Sequence, residues 1–140
     1  MSDDKPAAPP TTRQRGDRAE QIAVEHLSGL GYRIVERNFV CKLGEVDIIA
    51  AHRGDLVFVE VRSRHSSQAL NPVYSVNRSK QTRIIRAAQV YISGQRFKKG
   101  PPTRFDVVLV TLDEPPLVEV LRDAFGAESA GGRGRSSGYW

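Results

Sequence analysis

Two strand-like runs joined by a short turn restrict the fold of this sequence more than any other feature. Residues 45–51 and 56–64 are rich in valine, isoleucine and phenylalanine, and His52, Arg53, Gly54 and Asp55 separate them. Such runs are typical of β-strands, and a glycine in the connection permits the positive φ that tight hairpin turns require. The pattern therefore predicts an antiparallel hairpin with a two-residue turn at Arg53 and Gly54.

The turn also predicts the register of this hairpin. Pairing of His52 with Asp55 places Asp47 opposite Glu60, with their β-carbons about 5 Å apart on one face. Two carboxylates at that distance repel each other. A divalent cation, an ion-pair network with arginine, or solvent exposure can each offset the repulsion. Because carboxylates within apolar runs are seldom free surface groups, the local pattern favours a metal or catalytic site.

The remaining periodicities give the element order α-β-β-β-α-β-β. Strands before and after the second helix imply a mixed β-sheet flanked by helices, so the predicted fold class is α/β. Residues 1–12 are rich in Pro, Ala and Thr and residues 127–140 in Gly and Ser, which predicts flexible tails around one domain at 13–126. The other predicted elements are helices at 13–29 and 78–93 and strands at 32–40, 104–112 and 117–121.

Composition narrows the class of protein. The formal net charge is +5 and the isoelectric point about 9.7, which suits a polyanionic partner, with a merely solubilising surface as an equal alternative. Cys41 is the one cysteine, so neither an internal disulfide nor a cysteine-based zinc site is expected. The sequence has no secretory h-region and no apolar run of roughly 18 residues. These features predict a cytoplasmic protein without membrane contact.

Positive charge is concentrated in one part of the chain. Residues 61–105 contain no Asp or Glu but ten Lys or Arg. Cations around an acidic site suit a phosphodiester substrate, and the scarcity of aromatic residues among them favours backbone contacts over base stacking. For Lys80, covering apolar surface is an equal alternative to facing the site. The candidate nucleic-acid-binding residues are Arg64, Arg78, Lys80, Arg83, Arg96, Lys98 and Lys99.

Glu20 is a candidate third carboxylate. On a helical wheel it lies beside Val24 and Leu27, at the border of the apolar stripe of the first helix. Asp17 falls on the polar face and is expected to point elsewhere. Glu20 can therefore reach the rim of the sheet, although a border residue in that position needs no function.

Several motifs occur in an order that resembles a known family. They are GDRAEQIA (16–23), GYRIVERN (31–38), GEVDIIA (44–50), FVEVRSR (58–64), Lys80 and RFDVV (104–108). This series resembles the YraN-like family of bacterial proteins. That family is similar to the PD-(D/E)XK restriction-endonuclease-like superfamily and to archaeal Holliday junction resolvases.

The resemblance implies a site and a reaction. Glu20, Asp47 and Glu60 would be ligands of Mg²⁺ or Mn²⁺ in an endonuclease that acts on DNA, including branched DNA. Arg62 stands where the superfamily motif has lysine. Arginine is a poor proton acceptor but can orient water or stabilise charge, and Lys80 is a candidate replacement amine.

Three functions thus remain open. The first is a metal-dependent nuclease, in which Glu20, Asp47, Glu60, Arg62 and Lys80 form the catalytic set. The second is a catalytically silent nucleic-acid-binding module on a nuclease fold, which Arg62 favours. The third is a structural or adaptor domain whose acidic pair belongs to an ion-pair network. A homodimer that pairs through the edge strand at 117–121 is compatible with each of them.

Overall fold

The computed structural model describes residues 8–65 and 76–126, and within them the predicted element order is confirmed. The helices are α1 (Thr12–Gly29) and α2 (Arg78–Ser93), and the strands are β1 (Arg33–Cys41), β2 (Gly44–His52), β3 (Asp55–Arg64), β4 (Thr103–Thr111) and β5 (Leu117–Phe125). The predicted loop at 66–74, the C-terminal tail and residues 1–7 of the predicted N-terminal tail lie outside the described residues. In the part that is described, no helix is long and apolar enough to cross a membrane.

The five strands form one mixed sheet in the order β1-β2-β3-β4-β5. Strands β3 and β4 run parallel and the other neighbours are antiparallel. One apolar cluster joins α1 to a face of the sheet through Ala23 and Leu27, and another joins α2 to the opposite face through Ile85 and Tyr91. Because apolar side chains alternate along buried strands, a single sheet serves both cores.

The central hairpin has the predicted turn. Arg53 and Gly54 have φ values of 52° and 83°, and His52 pairs with Asp55. Two central residues with positive φ are the requirement of the tight hairpin turn whose twist matches that of the strands. The predicted register of β2 and β3 is therefore confirmed for the paired positions, which run as far as Ile48 and Val59.

Strand β5 is longer than the predicted strand at 117–121. It continues to Phe125, which pairs with Phe105 of β4 across an irregularity in the register. The irregularity falls at Asp123, whose φ is 52° and whose backbone N–H donates a hydrogen bond of 3.0 Å to the carboxylate of Asp106. A local periodicity does not reveal this extension, because it depends on a side chain from the neighbouring strand.

Candidate acidic site at the end of the central hairpin

Asp47 lies where the pairing of β2 with β3 ends. The recorded pairs stop at Ile48 and Val59, one position before the predicted pair of Asp47 and Glu60. The backbone N–H of Val61 donates a hydrogen bond of 2.8 Å to Oδ2 of Asp47. The predicted extension of the ladder through Asp47 is therefore wrong, because the Asp47 side chain, and not a regular strand pair, makes the contact with β3 at this point.

The side-chain pattern of β2 also changes at Asp47. Val46 belongs to the cluster on the α2 face, whereas Ile48 belongs to the cluster on the α1 face. Residues two positions apart normally share a face of a strand. Asp47 thus lies at a local irregularity at the margin of both cores, which is not the regular single-face arrangement predicted for the pair.

Glu60 is buried and lies within hydrogen-bonding range of Asp47. Its side chain is on the α2 face, like those of Leu56 and Phe58, and the residue is 6% exposed. Burial, together with the charge and hydrogen bond of Asp47, raises the pKa of Glu60 to about 8. The structure thus brings the two predicted carboxylates together and makes ionisation of both unfavourable.

Two cations oppose this effect at Glu60. Nζ of Lys80 lies 3.7 Å from Oε1 of Glu60, and the charges of Lys80 and Arg62 both lower the pKa of the carboxyl. Lys80 reaches the site because α2 packs closely on the start of β2. A β-carbon at Gly44 would collide with the carbonyl oxygen of Arg83. The predicted placement of Lys80 and Arg62 beside the acidic pair agrees with this geometry.

A cavity of about 260 Å³ opens beside Asp47 on the α1 face of the sheet. Asp17 and Glu20 of α1 line it together with Asp47 of β2 and with Val61 and Ser63 of β3. A cavity of this size holds several water molecules, or a hydrated ion and part of a substrate. Asp47, but not Glu60, therefore borders a space that a ligand can enter.

Glu20 lies at this cavity but is engaged by other residues. It is 7% exposed, and its Oε1 accepts hydrogen bonds from Nε of Arg37 at 2.8 Å and Nδ2 of Asn38 at 2.9 Å. Across residues 8–65 and 76–126, no three His, Cys, Asp or Glu side chains are close enough to hold a metal ion. The structure thus assembles Asp47 and Glu60 and leaves Glu20 at the edge of the cavity, outside a common three-carboxylate cluster.

Two residues of the cavity escaped the sequence analysis. Asp17 lines the cavity, so the expectation that it points elsewhere is wrong, and Arg13 lines it one turn earlier. The wheel assigned Asp17 to the polar face correctly, but part of that face overhangs the end of the sheet. The spacing of Arg13, Asp17 and Glu20, three to four residues apart on one helix side, is the signal that could have found them.

The acidic pair has the donor chemistry for a hard divalent cation. Carboxylate oxygens suit Mg²⁺ and Mn²⁺, and both ions retain several waters where the protein supplies one or two carboxylates. Glu60 is buried against Asp47, an arrangement that a cation between the two carboxylates would stabilise. Asp47 and Glu60 therefore have the chemistry of direct ligands for such an ion, whereas Glu20 is engaged by Arg37 and Asn38.

The other candidate cations lie on the outside of the molecule. Arg78 and Arg83 are exposed on α2, and Arg96, Lys98 and Lys99 are exposed between α2 and β4. Arg83 lines a small crevice with Lys80, so it is the one in this group nearest the acidic pair. Arg64 is half-buried at the end of β3, and its Nε and Nη1 have no hydrogen-bond partner among the described atoms.

Arg104, which belongs to the same basic stretch of sequence, has a different location. Its guanidinium is held inside the α1 face by Asp106, Asp55, the hydroxyl of Tyr32 and Nδ1 of His52, at 2.9–3.1 Å. The Tyr32 and His52 rings stack with their centroids 3.9 Å apart. This group is called the Arg104 network below. Its polar groups satisfy one another, so it is part of the core.

The fold and the site define an α/β protein with a mixed five-stranded sheet between two helices and a buried carboxylate pair at the end of its central hairpin. Residues 19–110 match the uncharacterised protein family UPF0102, and the chain belongs to this family. The match covers the segments that carry the YraN-like resemblance from Ala19 onward, and that resemblance is confirmed.

Bacterial relatives match over most of their length. A UPF0102 protein of Nitrosococcus oceani is 41% identical over 122 residues, which cover 86% of this chain and 98% of the relative. A UPF0102 protein of Moorella thermoacetica is 45% identical over 118 residues, covering 82% and 98%. A third, from Caldanaerobacter subterraneus, is 44% identical over 102 residues, covering 73% and 83%. The similarity therefore extends across α1, the hairpin, α2 and β4.

Proposed function

We propose that this protein is a metal-dependent endonuclease that hydrolyses DNA phosphodiesters. The observation that carries the proposal is the burial of Glu60 against Asp47, a carboxylate that also lines a cavity. A protein gains no stability from two carboxylates placed in this way, whereas a cation-dependent site requires them. The restriction-endonuclease-like fold implied by the resemblance is consistent with the observed element order.

The chain's own residues would divide the work. A bound Mg²⁺ or Mn²⁺ supplies an activated water and neutralises charge on the phosphate. Asp47 and Glu60 hold the ion, and the N–H of Val61 orients the Asp47 carboxylate. Lys80, 3.7 Å from Glu60, favours the ionised form of that carboxyl. Arg62 keeps its proton and therefore stabilises negative charge instead of accepting a proton.

The proposed substrate is DNA, with branched DNA as the first choice. Exposed cations on α2 and in the segment before β4 suit contacts with the phosphate backbone, and the resolvase resemblance favours a junction. A two-fold junction would suit a homodimer. Strand β5 is an edge of the sheet and exposes Leu117 to 63%, so it is the candidate dimer contact. A DNA substrate would place the protein in the cytoplasm.

Cleavage assays test the proposal directly. The full chain is incubated with four-way-junction, duplex and single-stranded DNA in Mn²⁺, Mg²⁺ or EDTA, beside Asp47→Asn and Glu60→Gln. The control is Glu25→Gln, which changes an exposed carboxylate of α1 that contacts Gln21. Metal-dependent cleavage by the wild type and the control, lost in both site variants, supports the proposal. Equal cleavage by all four proteins, or none, overturns it.

A catalytically silent DNA-binding protein is the second candidate. The observation in its favour is Arg62, which lies beside Glu60 where a nuclease of the superfamily has lysine. This alternative predicts salt-sensitive binding of junction or duplex DNA without turnover in any metal. An Arg62→Lys variant separates the two candidates, because cleavage gained only in that variant identifies a fold that has lost its activity.

A further inference from the structure

Gly16 is unusual because the folded chain does not require a glycine at that position. It is the fifth residue of the 18-residue helix α1, where glycine costs about 1 kcal/mol relative to alanine. Its φ is not positive, and a β-carbon added to it would meet no atom within 4 Å. At Gly44, by contrast, a β-carbon would collide with Arg83. Neither packing nor backbone conformation therefore explains Gly16.

The side of Gly16 that a β-carbon would occupy is open, and Gly16 lines the cavity beside Asp47. A glycine on a cavity wall lets another molecule approach the helix backbone closely. The other glycine within α1, Gly29, is its last residue and does not line this cavity. Space for a ligand therefore explains the glycine at position 16, whereas packing within the chain does not.

Arg13 lines the same cavity and has no charged partner among the described residues. It lies one turn before Gly16 and makes no hydrogen bond or ion pair within residues 8–65 and 76–126. Three other arginines of this region are committed. Arg15 donates to the Pro10 carbonyl, Arg18 pairs with Glu114, and Arg37 pairs with Glu20. Arg13 therefore differs from its neighbours in having its charge available.

We infer that Arg13 and Gly16 form a contact surface for one backbone phosphate of the DNA next to the bond that is cleaved. This inference rests on the proposed function and adds a positioning role for the start of α1. Arg13 precedes Glu20 by seven residues, or about 10 Å along the helix. Gly16 leaves space for the sugar-phosphate backbone, and Arg13 neutralises the phosphate. Neither residue is placed to take part in the chemical step.

Asp17 provides a further test of the inference, because it lines the same cavity as Arg13 and Gly16. Its carboxylate would repel a phosphate held by Arg13 unless a divalent cation screens the two charges. Binding at this surface is therefore expected to be weak in EDTA and stronger in Ca²⁺. Asp17→Asn is expected to strengthen binding in EDTA several-fold, and an unchanged or weaker affinity would count against a phosphate at this wall.

The decisive experiment measures binding and stability in the same variants. Fluorescence anisotropy with a labelled four-way junction, in Ca²⁺ over a range of salt, compares the wild type with Arg13→Gln and Gly16→Leu. We expect each variant to bind about tenfold more weakly, and Arg13→Gln to reduce the salt slope by about 0.9. The matched control is Arg15→Gln, which is expected to retain the wild-type slope.

Stability separates this role from a structural one. Gly16→Ala is expected to raise the melting temperature by about 3–5 °C, because alanine is the better helix former, while it weakens binding. A variant that is more stable yet binds less tightly is the signature of a contact surface. If Gly16→Leu does not fold, Gly16→Ala and Arg13→Gln still decide the question.

The outcomes also distinguish this inference from the proposed function. Wild-type cleavage that is unchanged in Arg13→Gln and Gly16→Ala overturns the inference and leaves the nuclease intact. Junction binding that depends on Arg13 without cleavage in any metal overturns the nuclease and leaves the contact surface. Wild-type protein that binds no DNA at low salt overturns both.

Discussion

Two buried carboxylates on neighbouring strands have opposite surroundings. Glu60 of β3 pairs with Val107 and Asp106 of β4 pairs with Val59, so they lie almost side by side on opposite faces of the sheet. Asp106 is 0% exposed and accepts hydrogen bonds from Arg104, the Tyr32 hydroxyl and the backbone of Asp123. Glu60 faces another carboxylate and a lysine 3.7 Å away.

The comparison separates a group that stabilises the fold from one that is available for function. Asp106 has partners for both oxygens within the core, where a buried charge that is fully paired can be accommodated. Glu60 lies beside another carboxylate, and its nearest cation, Lys80, is 3.7 Å away. Its pKa is therefore raised to about 8, a shift that is common in groups that bind a ligand or take part in catalysis. Burial alone therefore does not distinguish the two carboxylates, whereas the chemistry of their neighbours does.

The largest expected effect comes from breaking the Arg104 network. Asp106→Ala leaves Arg104 buried without its main partner, and we expect a loss of about 3–5 kcal/mol in the free energy of unfolding. Urea denaturation measures it. The control, Arg18→Gln, removes the exposed ion pair with Glu114 and is expected to cost less than about 1 kcal/mol. Equal losses in the two variants would show that the network does not support the core.

Metal binding tests the other buried carboxylate of the comparison, Glu60, together with Asp47. A cation that binds only the folded chain stabilises it by about 2.7 kcal/mol at 100 times its dissociation constant. We expect Mn²⁺ to raise the melting temperature of the wild type and of Glu25→Gln by several degrees, but not that of Asp47→Asn. An unchanged wild-type melting temperature would instead support the structural or adaptor alternative.

A pH-dependent effect is expected from Glu60 itself. Its pKa is raised from 4.5 to about 8, so between these values the folded chain keeps a proton that the unfolded chain releases. The stability that this proton contributes is present below pH 4.5 and is lost as the pH rises toward about 8. The slope is at most roughly 1.4 kcal/mol per pH unit.

Glu60→Gln isolates that contribution. Glutamine resembles the neutral acid at every pH, so the variant is expected to gain stability relative to the wild type as the pH rises from 5 to 9. Melting curves without metal measure the difference. Parallel curves for the two proteins would show that Glu60 is not buried as a neutral acid.

His52 makes stability depend on pH in the opposite direction from Glu60. Burial, and next the charge of Arg104, lower its pKa, so folding holds the ring neutral. The stability that this contributes is present at neutral pH and is lost as the pH falls. The comparison of wild type with Glu60→Gln cancels this term, because both proteins contain His52.

Much of the fold could be predicted because its signals are local. The turn at Arg53 and Gly54 determines the register from His52 to Ile48, and the apolar spacing of α1 and α2 identifies the faces that pack on the sheet. The placement of Glu60 beside Asp47 follows from that register, even though the ladder ends one position earlier. Local backbone preference and side-chain alternation are properties of short segments, so sequence carries them directly.

The sequence by itself determined the order of elements, the hairpin and its carboxylate pair, and family membership follows from the same residues. Only the tertiary structure decided that Asp17 and Arg13 line the cavity, that Arg37 and Asn38 engage Glu20, and that Arg104 lies inside the core. These facts depend on the angle at which α1 crosses the sheet and on which strands become neighbours. Contacts between distant segments set that geometry. The spacing of Arg13, Asp17 and Glu20 puts them on one side of α1, but it does not encode where that side lies relative to the sheet.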